Sequence, residues 1–245
     1  MYMTGGRFGH RGKRRDRQMD VRQLESLANR CRREAVRMVY RAKAGHIGGS
    51  LSAADILTAL YFGVMRIRPE EPGWPDRDFF VLSKGHSVES YYAVLAMRGY
   101  FSAARLAEYS RFGSDFTGHP NRKVPGVDMG TGALGHGLPV SVGLALAARR
   151  DGRPCRVFAL MGDGEMEEGS NWEAAMAGAK YGLDNLTVIV DRNGLQISGR
   201  TEAVMPLENM AEKWKAFGWQ VAETDGHRMA ELVRVLGRAG AGRPR

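Results

Sequence analysis

The stretch Val157-Phe158-Ala159-Leu160-Met161-Gly162-Asp163-Gly164 ends an apolar run in a Gly-Asp-Gly turn, and Leu186-Thr187-Val188-Ile189-Val190 runs in the same way into Asp191-Arg192-Asn193-Gly194. Short aliphatic runs bounded by glycine read as buried strands. Ligands of open α/β sheets bind just outside the carboxyl ends of their strands, which is where Asp163 and Asn193 fall. Asp163 offers a hard anionic oxygen and Asn193 a neutral one, donors of the kind Mg²⁺ gathers into an octahedron shared with phosphate oxygens. Gly162 and Gly164 let the backbone approach such a ligand closely. Asp and Asn are also common in tight turns, so the pair suggests a magnesium diphosphate site but does not establish one alone.

Working outward, Leu24, Leu27, Ala28, Cys31, Ala35, Met38 and Ala42 recur at helical spacing and predict an amphipathic helix over residues 20–44 that leads into Gly45-His46. A second helix is predicted from Ala53 to Met65, with Ser52 as N-cap and Asp55 in the first turn, where a negative charge suits the helix dipole. Pro69, Pro72, Gly73 and Pro75 break the chain. Phe79 to Leu82 then reads as a strand and Val88 to Arg98 as a helix. Leu138 to Arg150 is apolar over much of its surface and reads as a core helix. Strand, loop and helix return at Val157 to Met161, Leu186 to Val190 and Trp219 to Thr224. Such alternation predicts a three-layer α/β/α fold with a mostly parallel central sheet. After a helix at Met229 to Leu236, Gly240 to Arg245 reads as the turn into a further strand, so the domain is expected to lack its last strand and to expose unpaired backbone groups there.

Further motifs lie upstream: Ala44-Gly45-His46-Ile47-Gly48-Gly49-Ser50, Leu82-Ser83-Lys84-Gly85-His86, Gly118-His119-Pro120 and Thr131-Gly132-Ala133-Leu134-Gly135-His136-Gly137. Together with Gly162-Asp163-Gly164-Glu165-Met166-Glu167-Glu168-Gly169 and Asn193, they resemble the transketolases in order and spacing, over residues 20–236. The resemblance implies a thiamine diphosphate-binding fold occupying residues 20–245. It implies Mg²⁺ held by Asp163, Asn193 and the carbonyl of Leu195, with thiamine diphosphate held by His86, Gly132, Leu134, Gly135, Gly162, Asp163, Gly164 and Asn193. His46, His86 and His119 sit in glycine-bounded loops rather than in a helical stripe, so they do not read as core histidines. By resemblance, His86 contacts the diphosphate while His46 and His119 face substrate oxygens, where a group titrating near neutrality suits proton movement. His136 stands where many single-chain transketolases have glutamine, and Ala133 where the family has proline.

Ser170 and Glu173 have the spacing of a capping box, which by itself accounts for Glu173. In transketolases, carboxylates at the positions of Glu168 and Glu173 join a network across the subunit interface, and clustered carboxylates share protons. Single-chain members continue into a pyrimidine-binding domain and a C-terminal domain that have no counterpart here. The resemblance therefore implies the N-terminal subunit of a split transketolase, inactive without a C-terminal partner, assembled as α2β2 and transferring a two-carbon ketol unit between sugar phosphates. Its rivals are a component of a deoxyxylulose-phosphate synthase-like or 2-oxo acid dehydrogenase-like enzyme, and a non-catalytic assembly protein that retains the fold.

Composition bounds these readings. The 245 residues are 43% apolar, enough for one buried domain. No apolar run approaches the roughly 18 residues that span a bilayer, and no secretory signal is visible, so a cytoplasmic location is expected. Cys31 and Cys155 do not suggest a disulfide framework, and Cys31 is expected to be buried and inert. The net charge of +9 owes much to Arg7, Arg11, Lys13, Arg14, Arg15 and Arg17, in a Gly- and Arg-rich tail over residues 1–19 that is expected to be disordered. No basic and aromatic interleaving follows in the body, which argues against nucleic acid as the partner.

Overall fold

The computed structural model describes residues 19–238 and 242–245. The tail expected over residues 1–19 lies, apart from Met19, outside them. The first helix, α1 (Val21–Ala42), opens with a capping box in which Asp20 and Gln23 exchange backbone and side-chain bonds, and it buries the predicted stripe of Leu24, Ala28, Cys31, Ala35 and Met38. Cys31 is fully buried and burial pushes its thiol up to about 12, the inert state expected of it.

The next helix, α2 (Ile47–Ala59), begins well ahead of Ala53 and runs on into a π-helical turn at Leu60–Val64. Gly48, Gly49 and Ser50 are weak helix formers, so propensity hides this first turn, and tertiary bonds hold it. Ser52 is consequently not a cap: its hydroxyl donates to Asp191 at 2.7 Å from within the helix. Asp55 is buried mid-helix, paired with Arg32 and with His227 Nδ1 at 2.7 Å. Ile47–Val64 is 18 residues long with a mean hydropathy of 1.4, enough by length and composition to cross a membrane, contrary to the expectation that no run is. It is instead a core helix, with Leu57, Leu60, Ser50 and Thr58 all fully buried.

There follow β1 (Phe79–Leu82), α3 (Val88–Arg98), α4 (Gly137–Arg150), β2 (Val157–Gly162), α5 (Gly169–Lys180) and β3 (Leu186–Asp191). The short hairpin strands β4 (Leu195–Gln196) and β5 (Gly199–Arg200) lead to α6 (Thr201–Val204), α7 (Met210–Ala216) and α8 (Met229–Leu236). The main sheet is parallel in the order β1-β2-β3, with Phe80 opposite Phe158 and Gly162 opposite Asp191. Side chains alternate between its faces. Phe80, Leu82, Phe158, Leu160 and Ile189 pack with the core of α1, α2, α3 and α8, whereas Phe79, Val157, Met161, Val188 and Val190 pack with that of α4, α5 and α7. The fold is thus the expected three-layer α/β/α arrangement with a parallel sheet.

Trp219–Thr224 does not form the expected strand. Its neighbour is the end of the chain: Gln220 N donates to Pro244 O at 2.9 Å, while Arg245 donates to Leu186 O at 3.1 Å and accepts from Val188 N at 2.5 Å. Pro244 and Arg245 therefore enter the lane between β3 and residues 219–224. The lane continues as a cavity of about 320 Å³ lined by Val190, Trp214, Val221 and Leu232 among others. A ladder needs a partner on each side, and among the described residues Pro244 and Arg245 supply it here.

The starts of β1 and β2 are joined through Asp78, which is fully buried. Its carboxylate accepts from Arg66 N at 2.8 Å, Arg156 N at 2.9 Å, and both guanidinium groups, at 2.9 Å and 2.6 Å. Removing it strands two arginines, a loss of the size of breaking a buried ion pair. Asp78→Ala is expected to lower stability by about 3–5 kcal/mol in chemical denaturation, and a loss under about 1 kcal/mol would show that the arginines find other partners.

Candidate active site

The parallel register brings Gly162 and Asp191 level, so the loops after β2 and β3 leave the sheet side by side. Lys84, just after β1, crosses above Gly162 and pairs with Asp191 at 2.6 Å, with 1% of its side chain exposed. An added Cβ on Gly162 would lie 3.9 Å from that of Lys84. Asp191 also receives the Ser52 hydroxyl, so three chain segments are tied at the edge of the sheet.

Asp163 is almost fully buried. One carboxylate oxygen accepts from Gly164 N at 2.9 Å and the other from Gly194 N at 2.7 Å, so the side chain joins the two loops. Gly194 takes φ +74°, a left-handed turn that suits glycine, and it directs the chain into the β4–β5 hairpin. Asn193 is exposed beside it, with Oδ1 accepting from Leu195 N at 3.0 Å. An ionised carboxylate has about four acceptor sites, so two backbone bonds leave Asp163 free to hold a cation. Asp163, Asn193 and the Leu195 carbonyl lie on the segments that leave β2 and β3, and each offers an oxygen of the kind Mg²⁺ prefers.

The surroundings fit a polar ligand. The Gln196 Oε1 and Ser87 Oγ atoms are buried without a hydrogen-bond partner. The first lies 3.4 Å from where a Gly164 Cβ would be, and the second 2.6 Å from that of Gly49. Buried polar atoms are normally satisfied, so such orphans mark places where something else binds. Neither residue stands out in the sequence, because an orphaned atom becomes visible only once its neighbours are known.

His46, His86 and His119 converge from three loops, as expected: the His46 ring centroid lies 5.9 Å from that of His86 and 5.6 Å from that of His119. Burial, then the Lys84 charge and the other two histidines, push His86 down to about 4, against an opposing pull from Glu89. Burial and His46 likewise lower His119, and Glu89 opposes them. Both rings are therefore neutral at pH 7 and able to accept a proton.

The Gly132–Gly135 segment runs alongside. Gly132 packs near the His119 ring, and a side chain on Gly135, at φ +82°, would strike Glu168 and Ser170. Leu134 is half-buried. His136 precedes α4 and lines a cavity of about 340 Å³ with Pro120, Thr131, Gly132 and Ala133. The capping box expected at α5 is absent. Glu168 holds the N-cap position without a side-chain cap, Ser170 donates to Gly135 O at 2.7 Å, and Glu173 is exposed. Helical spacing allowed a local bond, but the loop carbonyl of Gly135 is the acceptor that lies in reach of Ser170. The carboxylate that organises this loop is Glu165, which accepts from the Ser83 hydroxyl, Gly135 N at 3.0 Å and Gly162 N at 3.2 Å. Burial raises it, and these bonds pull the other way.

Because His86 titrates lower folded than unfolded, the unfolded chain binds more protons between about pH 6.5 and 4, and the contribution is lost as pH falls through that window. His86→Gln is expected to flatten the fall in stability over this range relative to the parent, as followed by denaturation at several pH values. Parallel curves would show that His86 titrates normally.

Residues 24–245 match the family described as "Transketolase, thiamine diphosphate binding domain". The chain is 52% identical over 218 residues to an apulose-4-phosphate transketolase subunit of Phocaeicola vulgatus, covering 89% of this chain and 78% of that protein. It is 43% identical to the 6-deoxy-6-sulfo-D-fructose transketolase subunit SqwG of Clostridium sp., covering 88% and 79%. Among solved structures, the transketolase of Campylobacter jejuni superposes with a TM-score of 0.84 at 31% identity, covering 89% of this chain and 35% of that one. The chain thus spans about a third of that solved enzyme. Most of its length matches proteins named as transketolase subunits, and the chain belongs to the transketolase family, as the thiamine diphosphate-binding domain.

Proposed function

We propose that this chain is the N-terminal subunit of a cytoplasmic split transketolase that binds thiamine diphosphate and Mg²⁺ and, with a C-terminal partner subunit in an α2β2 assembly, transfers a two-carbon ketol unit from a ketose phosphate to an aldose phosphate. The observation that carries the reading is the join of the two loops by Asp163, level with Lys84–Asp191, beside three convergent histidines. Asp163, Asn193 and the Leu195 carbonyl would hold Mg²⁺, and His86 with Gly162 and Gly164 would line the diphosphate. Gly132, Leu134 and Gly135 would border the rings. When bound, thiamine diphosphate supplies the electron sink that carbon–carbon cleavage beside a ketose carbonyl requires. His46 and His119 would move protons at the sugar oxygens, and the neutral state of His119 suits the accepting role.

Ile197 and Phe112 stand fully exposed, and Leu195, Met205 and Met176 largely so, which favours a partner covering these faces. Glu168 and Glu173 are exposed near this surface, consistent with carboxylates that pair across an interface. The sugar is assigned by likeness: at 52% identity the Phocaeicola protein favours apulose 4-phosphate as donor, ahead of xylulose 5-phosphate.

The test combines this chain with a candidate C-terminal subunit, thiamine diphosphate and Mg²⁺, and offers apulose 4-phosphate, xylulose 5-phosphate or pyruvate as donor. Ketol transfer only with both subunits, and from a ketose phosphate, is the expected result; turnover of pyruvate alone would move the assignment to another thiamine diphosphate enzyme. Asp163→Ala is expected to weaken Mg²⁺-dependent cofactor binding by more than the roughly 10–100-fold typical of groups that merely support a metal ligand. Unchanged cofactor affinity in calorimetry would remove Asp163 from the metal site.

A further inference from the structure

The first turn of α2 has exposed amides to satisfy, as every helix start does. The residue at its N-cap is His46, whose side chain makes no capping bond. One of those amides, that of His46 itself, bonds instead to Glu89, in the first turn of α3. Its Oε1 accepts from His46 N at 2.8 Å and from the Tyr109 hydroxyl at 2.6 Å, and its Oε2 accepts from the Ser50 hydroxyl at 2.5 Å. Glu89 is fully buried, and its charge stands at the N-terminal ends of two helices, where the dipoles favour an anion. Room for it depends on Gly45, at φ +144°, where an added Cβ would lie 2.5 Å from Glu89 Oε1 and 3.2 Å from the Tyr109 hydroxyl.

We propose that Glu89 is the positioning residue of the histidine cluster: by binding the His46 amide and the Ser50 hydroxyl it fixes the start of α2 from outside, while the His46 imidazole, which makes no capping bond, is held beside His86 and His119. An N-cap serine or aspartate would turn its own side chain back onto the helix. A helix start fixed from another helix leaves the N-cap side chain available to the site. The same carboxylate is the anion that faces the cluster. His86 has Lys84, His46, His119 and Glu89 around it, and His119 has His46 and Glu89; in both, Glu89 alone of these favours the protonated ring. This inference rests on the reading of His46 and His119 as groups that serve the substrate, but the bonds themselves do not.

The experiment is a histidine titration by NMR on the full chain, comparing the parent with Glu89→Gln and Tyr109→Phe. Glu89→Gln is expected to lower the His119 titration by roughly 0.5 unit or more, as loss of a nearby buried anion should, and to shift the His46 ring resonances. Tyr109→Phe, which keeps the charge, is expected to leave the His119 titration in place. An unchanged His119 titration and an unchanged His46 spectrum in folded Glu89→Gln would overturn the inference, whatever the enzyme's activity. Should Glu89→Gln not fold, Glu89→Asp, one methylene shorter, is expected to lose the His46–His119 contacts seen by nuclear Overhauser effects; their retention would overturn it equally. Absence of ketol transfer by the parent with its partner would sink the proposed function and leave the titration result standing.

Discussion

The Lys84–Asp191 pair ties the end of β1 to the end of β3 across the top of β2. An ammonium and a carboxylate withdrawn from water cost several kcal/mol each unless they meet in good geometry with further bonds. Here the further bond is the Ser52 hydroxyl from α2, so the helix that follows His46 is anchored to the same point. With both strand ends and that helix joined, the Gly162-Asp163-Gly164 and Asn193-Gly194 loops have a rigid base, and Asp163 can span between them. The proposed divalent cation and diphosphate would need their ligands in place beforehand, and loops on such a base would provide that.

Buried carboxylates perform related work at three levels. Asp78 joins the starts of β1 and β2, Glu165 holds the Gly135 loop against Ser83 and Gly162, and Glu89 holds the turn before α2. Each satisfies backbone amides that no regular element can reach, which is the condition for burying an irregular loop at all. The glycines beside them are part of the arrangement. Side chains at Gly45 and Gly135 would occupy space taken by Glu89 and Glu168, respectively.

Much of this was legible in the chain. The alternation of strand, loop and helix predicted the layered parallel sheet, and most of the α1 stripe was read residue by residue, whereas the division of each strand's side chains between two cores became visible only in the structure. The metal-capable pair was read from turns after apolar runs, whereas the three histidines were read as loop residues and given their roles only by the resemblance. Local rules failed where a distant group had the stronger claim. Ser52 bonds Asp191 rather than capping a helix, Ser170 bonds the Gly135 carbonyl rather than closing a capping box, and Trp219–Thr224 forms no strand but meets Pro244 through the amide of Gln220.

The amino-acid order by itself therefore determined the strand–loop–helix alternation, the positions of the loops and the residue types that each presents, because periodicity and turn chemistry act over a few neighbouring residues. Only the tertiary structure decided which loop groups meet. Lys84 finds Asp191, His46 finds Glu89 and Asp163 finds the amide of Gly194 across long intervals of chain, and such pairings leave no repeating pattern in the sequence. They are set by parallel register and by the demand that every buried charge and amide be satisfied, conditions that exist only once the sheet has formed.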